Sequence, residues 1–243
     1  MLEGNDSVPG KENDTSYGCL LFDLDGTLVD SRADLVTAVN LMLAEVGARG
    51  LHSEEVINFV GEGARLLVER SLQAVWRRVP SDLEIDLALS LFKRHYRDHL
   101  LDQTALYPGV GETLDRFQQL GHWPLAIVTN KPYDLTIALL EGLGLRHHFA
   151  VVVGGDSLPE RKPSPLMVLE ASRQCGYPAT QALMVGDSPV DIAAGRRAGA
   201  TTCGYAGGFR RREELVDAGA DFLIDHFPEL LRLVGDLASG SPS

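Results

Sequence analysis

Asp23 and Asp25 stand two residues apart in Phe22-Asp23-Leu24-Asp25-Gly26-Thr27-Leu28, directly after the apolar run Cys19-Leu20-Leu21-Phe22. Such a run, closed by an acidic pair and a glycine, reads as a short buried strand that turns sharply at its carboxyl end, so both carboxylates emerge together at the sheet edge. Two carboxylates that close invite a divalent cation. They also suit phosphoryl transfer: one can attack phosphorus while the other, held slightly farther off, passes a proton to the leaving oxygen. Asp-Gly is an ordinary turn dipeptide as well, so the pair alone does not decide the chemistry.

The elements that must position this pair follow from the rest of the chain. Apolar runs bounded by turn signals recur at 125–128, 150–153, 182–185, 201–205 and 221–224, with helical patterns between them at 110–120, 133–143, 165–175, 192–198 and 212–218. Strands alternating with helices predict an α/β fold with a Rossmann-like parallel sheet. The stretch 31–102 breaks the alternation. It shows no strand pattern and helical periodicity throughout, as in Leu35, Val39, Met42, Leu43 and Val46, so it reads as an inserted α-helical cap. Ser31 is placed to cap its first helix, and Glu62-Gly63 with Pro80-Ser81-Asp82 mark later breaks. The expected layout is a core of 17–30 and 103–243, a cap of 31–102 hinged beside the first strand's carboxyl end, and a disordered leader of 1–16.

Ligands in open parallel sheets bind beyond the carboxyl ends of the strands. The residues there are Thr129-Asn130-Lys131, Gly154-Gly155-Asp156 followed by Arg161-Lys162-Pro163, and Gly186-Asp187-Ser188 with Asp191. The chain has four lysines, at 11, 93, 131 and 162, and two of them fall in these loops. An ammonium at Lys162 can neutralise both a carboxylate nucleophile and a phosphoryl oxygen. Asp187 follows a buried strand and reads as a metal ligand. Asp191, four residues on and past Pro189 at the start of a helix, reads as a residue that orients the ligand set or Lys162.

Composition bounds the partners. With 44% hydrophobic residues the 243-residue chain can fill a sizeable core. A net charge of −12 disfavours nucleic acid and anionic membranes. A small anionic substrate would therefore need a locally positive site or a metal. No apolar run approaches a membrane span or a signal peptide, so a cytoplasmic protein, monomer or homodimer, is expected. Cys19, Cys175 and Cys203 are odd in number and without a CxxC pair, which argues against a disulfide framework or zinc. The histidines form no evident ligand set.

Taken together, these residues resemble the haloacid dehalogenase-like hydrolase superfamily, whose four short motifs occur in order: Asp23-Leu24-Asp25-Gly26-Thr27, Thr129, Lys162-Pro163, and Gly186-Asp187-Ser188 through Asp191. The resemblance spans the whole core. It implies Asp23 as nucleophile, Asp25 as general acid and base, and Thr129 and Lys162 holding the phosphoryl group. It further implies Mg²⁺ on Asp23, Asp187 and the Asp25 backbone carbonyl. Backbone N–H groups after Asp23 and at Asn130 would join Lys162 in stabilising the transferring oxygens. A carboxyl at position 25 favours phosphate over halide chemistry, because a dehalogenase has no need of an acid there.

Within the cap, Val60-Gly61-Glu62-Gly63-Ala64-Arg65 resembles the cap segment of phosphoglycolate phosphatases, with Glu62 where that group often has Asn. Arg65 is a candidate for attracting a substrate carboxylate and Glu62 could repel one. Hydrolysis of 2-phosphoglycolate is the leading expectation. The alternatives are a phosphatase or phosphomutase acting on another small phosphorylated metabolite (sugar phosphate, nucleotide or pyrophosphate), and a catalytically silent binding module, which should lack the nucleophile or the acid.

Overall fold

A computed structural model describes residues 17–239; the leader expected at 1–16 lies outside them. In chain order the elements are β1 (Cys19–Phe22), β2 (Val29–Asp30), α1 (Arg32–Glu45), α2 (Ser53–Phe59), α3 (Ala64–Trp76), α4 (Asp82–Asp98), β3 (Ala105–Leu106), α5 (Val110–Leu120), β4 (Leu125–Val128), α6 (Tyr133–Gly142), β5 (Phe149–Val153), α7 (Leu166–Gln174), β6 (Ala182–Gly186), α8 (Pro189–Ala198), β7 (Thr201–Tyr205), α9 (Arg212–Asp217), β8 (Phe222–Ile224) and α10 (Glu229–Ser239).

Six strands form one parallel sheet in the order β5-β4-β1-β6-β7-β8. The expected α/β class with a Rossmann-like parallel sheet is therefore what the chain adopts. β1 is buried along its whole length because helices cover both faces of the sheet, and its side chains divide by pleat. Leu20 and Phe22 join one apolar cluster with Ile127, Leu183 and Val185. Cys19 and Leu21 join the other with Ala126, Val128, Ala182 and Met184. The register sets Phe22 beside Ile127 of β4 and Val185 of β6. The carboxyl ends of these three strands thus lie level, and β1 sits where the chain order reverses, the crevice in which such sheets take ligands.

The helices α1–α4 occupy the chain between β2 and β3, which pair antiparallel, Val29 with Leu106 and Asp30 with Ala105. The sequence pattern did not anticipate this ribbon, because two residues per strand are too few to carry a period. Asp34, buried at the start of α1, accepts hydrogen bonds from the Gln103 and Thr104 N–H groups at 3.0 and 2.8 Å and from the Thr104 hydroxyl at 2.7 Å. Both chain crossings into the helical insert are therefore tied together. The apolar faces of α1 (Leu35, Val39, Met42, Leu43) and α4 (Phe92, Tyr96) are continuous with one face of the core. Breaks fall where Gly63 starts α3 and where Ser81 starts α4, the latter with a Ser81–Glu84 capping box.

Candidate active site

Asp23 is the first residue beyond β1, its N–H still bonded to the Val185 carbonyl at 2.9 Å, so its direction is set by the sheet rather than by a loop. The turn that follows needs Gly26, whose φ is +90° and at which a β-carbon would overlap the Asp187 carboxylate. A second glycine, Gly208, leaves equal room on the other side of Asp187. The aspartates of two strand ends therefore meet because both neighbours lack side chains.

Lys162 closes the arrangement. Its ammonium donates to Asp23 Oδ1 at 2.8 Å, Asp191 Oδ1 at 2.6 Å and the Val128 carbonyl at 2.6 Å, with the side chain 1% exposed. Burial works to lower the Lys162 value, but the carboxylates of Asp191 and Asp23 outweigh it and hold the ammonium charged. Asp191 is the third residue of α8 and forms a capping box with Ser188, its Oδ2 accepting the Ser188 hydroxyl at 2.6 Å and N–H at 3.1 Å. Both oxygens of Asp191 are thus occupied, one by Lys162 and the other by Ser188.

Asp23, Asp187 and Asp191 offer carboxylate oxygens within 4.8 Å of one another, all three residues buried. Among the described residues Asp187 receives only neutral donors, the Phe209 N–H at 2.7 Å and the Thr27 hydroxyl at 3.2 Å. Burial, then the charges of Asp191 and Asp23, push its carboxyl well above the usual carboxylate range. Burial, then Asp191, push Asp23 up to about 6 against the pull of Lys162. Three buried carboxylates against one ammonium leave negative charge in surplus. A hard divalent cation taking oxygen ligands fits that surplus, on Asp23 and Asp187 with the Asp25 backbone carbonyl as the further ligand the family resemblance implies.

Asp25 lies beside Asp23 but is bound differently. Its Oδ1 accepts the Ser31 hydroxyl at 2.6 Å, and both of its oxygens accept from Lys131 Nζ at 2.9 Å. Ser31 precedes α1 as expected, yet its hydroxyl makes no cap bond; the Asp25 carboxylate has drawn it inward. Lys131, with its side chain 3% exposed, also donates to the hydroxyl of Tyr96 on α4 and lies 4.3 Å from that ring's centroid. Sequence reasoning placed Lys131 at the right sheet edge without giving it a role. The scarcity of lysine was the available signal.

Thr129, 2% exposed, lines the cleft over Asp23 and Asp25 and accepts the Lys131 N–H on its hydroxyl at 3.2 Å. The Asn130 side chain works as a clamp: Oδ1 accepts the Lys162 N–H at 3.0 Å, while Nδ2 donates to the carbonyls of Lys162 and, in the helical insert, Gly61, each at 2.9 Å. Arg65 is not brought to this cleft. Its guanidinium pairs with Asp82 at 2.8 Å and with Asp86, both on α4. Glu62, the departure noted in the sequence, pairs with Arg70 at 2.7 Å. Elsewhere the structure gathers Asp115, His147 and His148 within 4.8 Å, a grouping the sequence did not reveal, and none of the three lines the cleft.

The cleft itself lies between the strand ends and the helical insert. Its roof is apolar, formed by Leu35, Val60, Leu67 and Phe92, with Tyr96.

A family model described as haloacid dehalogenase-like hydrolase matches residues 20–205. The chain belongs to that family. It is a hydrolase on the α/β fold that its motifs pointed to. The chain is 40% identical over 214 residues to the phosphoglycolate phosphatase of Chromobacterium violaceum, covering 88% of this chain and 94% of that protein. It is 37% identical over 215 residues to that of Colwellia psychrerythraea, covering 87% and 94%. A crystal structure described as a predicted phosphoglycolate phosphatase from Haemophilus somnus superposes with a TM-score of 0.84 at 32% identity, covering 90% of this chain and 98% of that one. No helix among the described residues of this hydrolase is long and apolar enough to cross a membrane.

Proposed function

We propose that the chain is a divalent-metal-dependent phosphomonoesterase that hydrolyses 2-phosphoglycolate to glycolate and phosphate through a phosphoaspartyl intermediate. The observation that carries this reading is the paired but unequal environment of Asp23 and Asp25. Asp23 is fixed by the sheet and by Lys162 and faces the cleft as nucleophile, whereas Asp25 lines the same cleft, is bound by Ser31 and Lys131 instead, and serves as the proton donor.

The chain's own residues account for the steps. Lys162 and the Thr129 hydroxyl hold the phosphoryl oxygens while Asp23 attacks phosphorus, and Asp25 protonates the departing alkoxide. Asp25 then takes a proton from the water that hydrolyses the aspartyl phosphate. Asn130 keeps Lys162 and the loop at Gly61 in register, and Asp191 keeps the ammonium aimed at Asp23. A magnesium ion on Asp23, Asp187 and the Asp25 carbonyl would supply positive charge that lets two anions approach. The helices of 31–102 act as a lid on the core of 17–30 and 103–243, closing an apolar roof over a substrate small enough for the cleft.

The relatives' names support this substrate. Steady-state kinetics with magnesium across 2-phosphoglycolate, sugar phosphates, nucleotides and pyrophosphate test it. 2-Phosphoglycolate should have the highest kcat/KM. A sugar phosphate or nucleotide exceeding it would replace the substrate and leave the chemistry standing.

A further inference from the structure

The proposed substrate carries a second anion, and Arg65, the cap residue expected to meet it, is paired away from the cleft. Of the charged side chains lining the cleft among the described residues, Asp23 and Asp25 are acidic and Lys131 is the one cation. Lys131 is also placed where a leaving-group anion must fall. A general acid works at hydrogen-bond distance from the oxygen it protonates. Lys131 Nζ is 2.9 Å from each Asp25 carboxylate oxygen, which puts the ester oxygen no more than about 6 Å from the ammonium when that contact is made. In 2-phosphoglycolate the carboxyl carbon is two bonds from the ester oxygen, so a carboxylate turned toward Lys131 can bond to it directly. Longer leaving groups would carry their charge past it into the apolar wall of Leu35, Phe92 and Leu135.

We propose that Lys131, with the Tyr96 hydroxyl behind it, recognises the carboxylate of the leaving group and thereby selects short phosphorylated 2-hydroxy acids. This rests on the substrate reading above and names the residues that enforce it. Tyr96 is 1% exposed and stacks on Phe92 with centroids 5.5 Å apart, so its hydroxyl is fixed in place by α4. In the free protein Lys131 rests on Asp25. A substrate carboxylate takes over that ammonium, and Asp25, still held by Ser31, is left to face the ester oxygen. The right leaving group thus clears the acid that serves it, and because Tyr96 belongs to the cap, recognition also depends on the cap being seated.

The test is the ratio of kcat/KM for 2-phosphoglycolate to kcat/KM for ethyl phosphate, in the wild type, Lys131→Met and Tyr96→Phe, with magnesium present. Truncating one partner of a desolvated charge pair predicts that the ratio falls about 30-fold or more in Lys131→Met. In Tyr96→Phe, which keeps the ring and its packing, it should fall by a smaller factor of about 3 to 10. A ratio that stays unchanged in Lys131→Met while both rates drop together makes Lys131 a positioning residue for Asp25 alone; that overturns the inference and leaves the substrate reading intact. A wild type with no preference for 2-phosphoglycolate over ethyl phosphate overturns both. Should Lys131→Met not fold, Tyr96→Phe decides, and an unchanged ratio there counts against the proposal.

Discussion

Asp23→Asn should give a protein that performs no phosphoryl transfer and yet, in the presence of a chelator, is more stable than the wild type. The reason is the charge surplus at the strand ends, where Asp23, Asp187 and Asp191 share one ammonium. Burial and then the charge of Asp191 move the Asp23 carboxyl from 3.8 up to about 6. The ionised side chain therefore destabilises the folded state at pH 8, by about 1–3 kcal/mol. A folded-state value above the unfolded one means that folding favours the protonated form. The associated stability is therefore complete below about pH 4 and lost as pH rises through about 6. Asparagine keeps the shape and an acceptor for Lys162 but carries no charge. Urea denaturation at pH 8 in EDTA should show Asp23→Asn more stable by about 1–3 kcal/mol, with a thermal midpoint about 3–10 °C higher for a chain of this size. The gap should close near pH 4. Magnesium should reverse the order, since the wild type offers the fuller ligand set and gains stability by mass action. A variant less stable than the wild type at pH 8 in EDTA, or a gap that does not vary with pH, would refute the reasoning.

Asp25→Asn should lower kcat/KM for 2-phosphoglycolate by about 10²- to 10⁴-fold, the usual contribution of a positioned acid, and for p-nitrophenyl phosphate far less, because nitrophenolate leaves without a proton. Equal losses on both substrates would remove Asp25 as the proton donor. Arg210→Ala acts on the lid. Arg210 donates to the carbonyls of Ile57 at 3.2 Å and Val60 at 2.5 Å, at the end of α2, and follows the Phe209 N–H that holds Asp187. Losing this link should raise KM for 2-phosphoglycolate about 5-fold, with kcat changing less. An unchanged KM would mean that the Val60 loop is seated without it.

How far the site could be read from the chain depended on whether its cause was local. The strand runs 19–22 and 125–128 are strands of the structure to the residue, because a strand buried on both faces must be a continuous apolar run that stops at the first residue needing water or a ligand. Pro189 and Asp191 were legible for the same reason, since helix-start chemistry is written within four residues. Ser31 shows the limit. Its type and position are those of a cap, but the nearer negative charge of Asp25 captures the hydroxyl, and that contact depends on how the hinge folds back. Lys131 meeting Tyr96, 35 residues away, and Arg65 meeting Asp86, 21 residues away, have no local signature at all. The first is set by how the inserted helices lie on the core and the second by how they pack on one another, neither of which helical periodicity specifies.

That arrangement also bears on how a chain of net charge −12 would bind the proposed substrate. Three arginines of the helical insert are neutralised by the insert's own carboxylates: Arg65 by Asp82 and Asp86, Arg70 by Glu62, Arg78 by Glu84. Their side chains are a third to a half exposed, where water and salt weaken any pull on a substrate. The two lysines at the strand ends are the reverse case, with side chains 3% and 1% exposed. Each is aimed from the core, one at either member of the Asp23–Asp25 pair. A lid that brings Val60, Leu67 and Phe92 over them adds no charge of its own; it removes water and so strengthens every interaction the two ammonium groups make beneath it. Under the proposed function the division of labour follows from burial: the core supplies the charge for the phosphoryl group and the leaving anion, and the insert supplies the low dielectric in which that charge is effective.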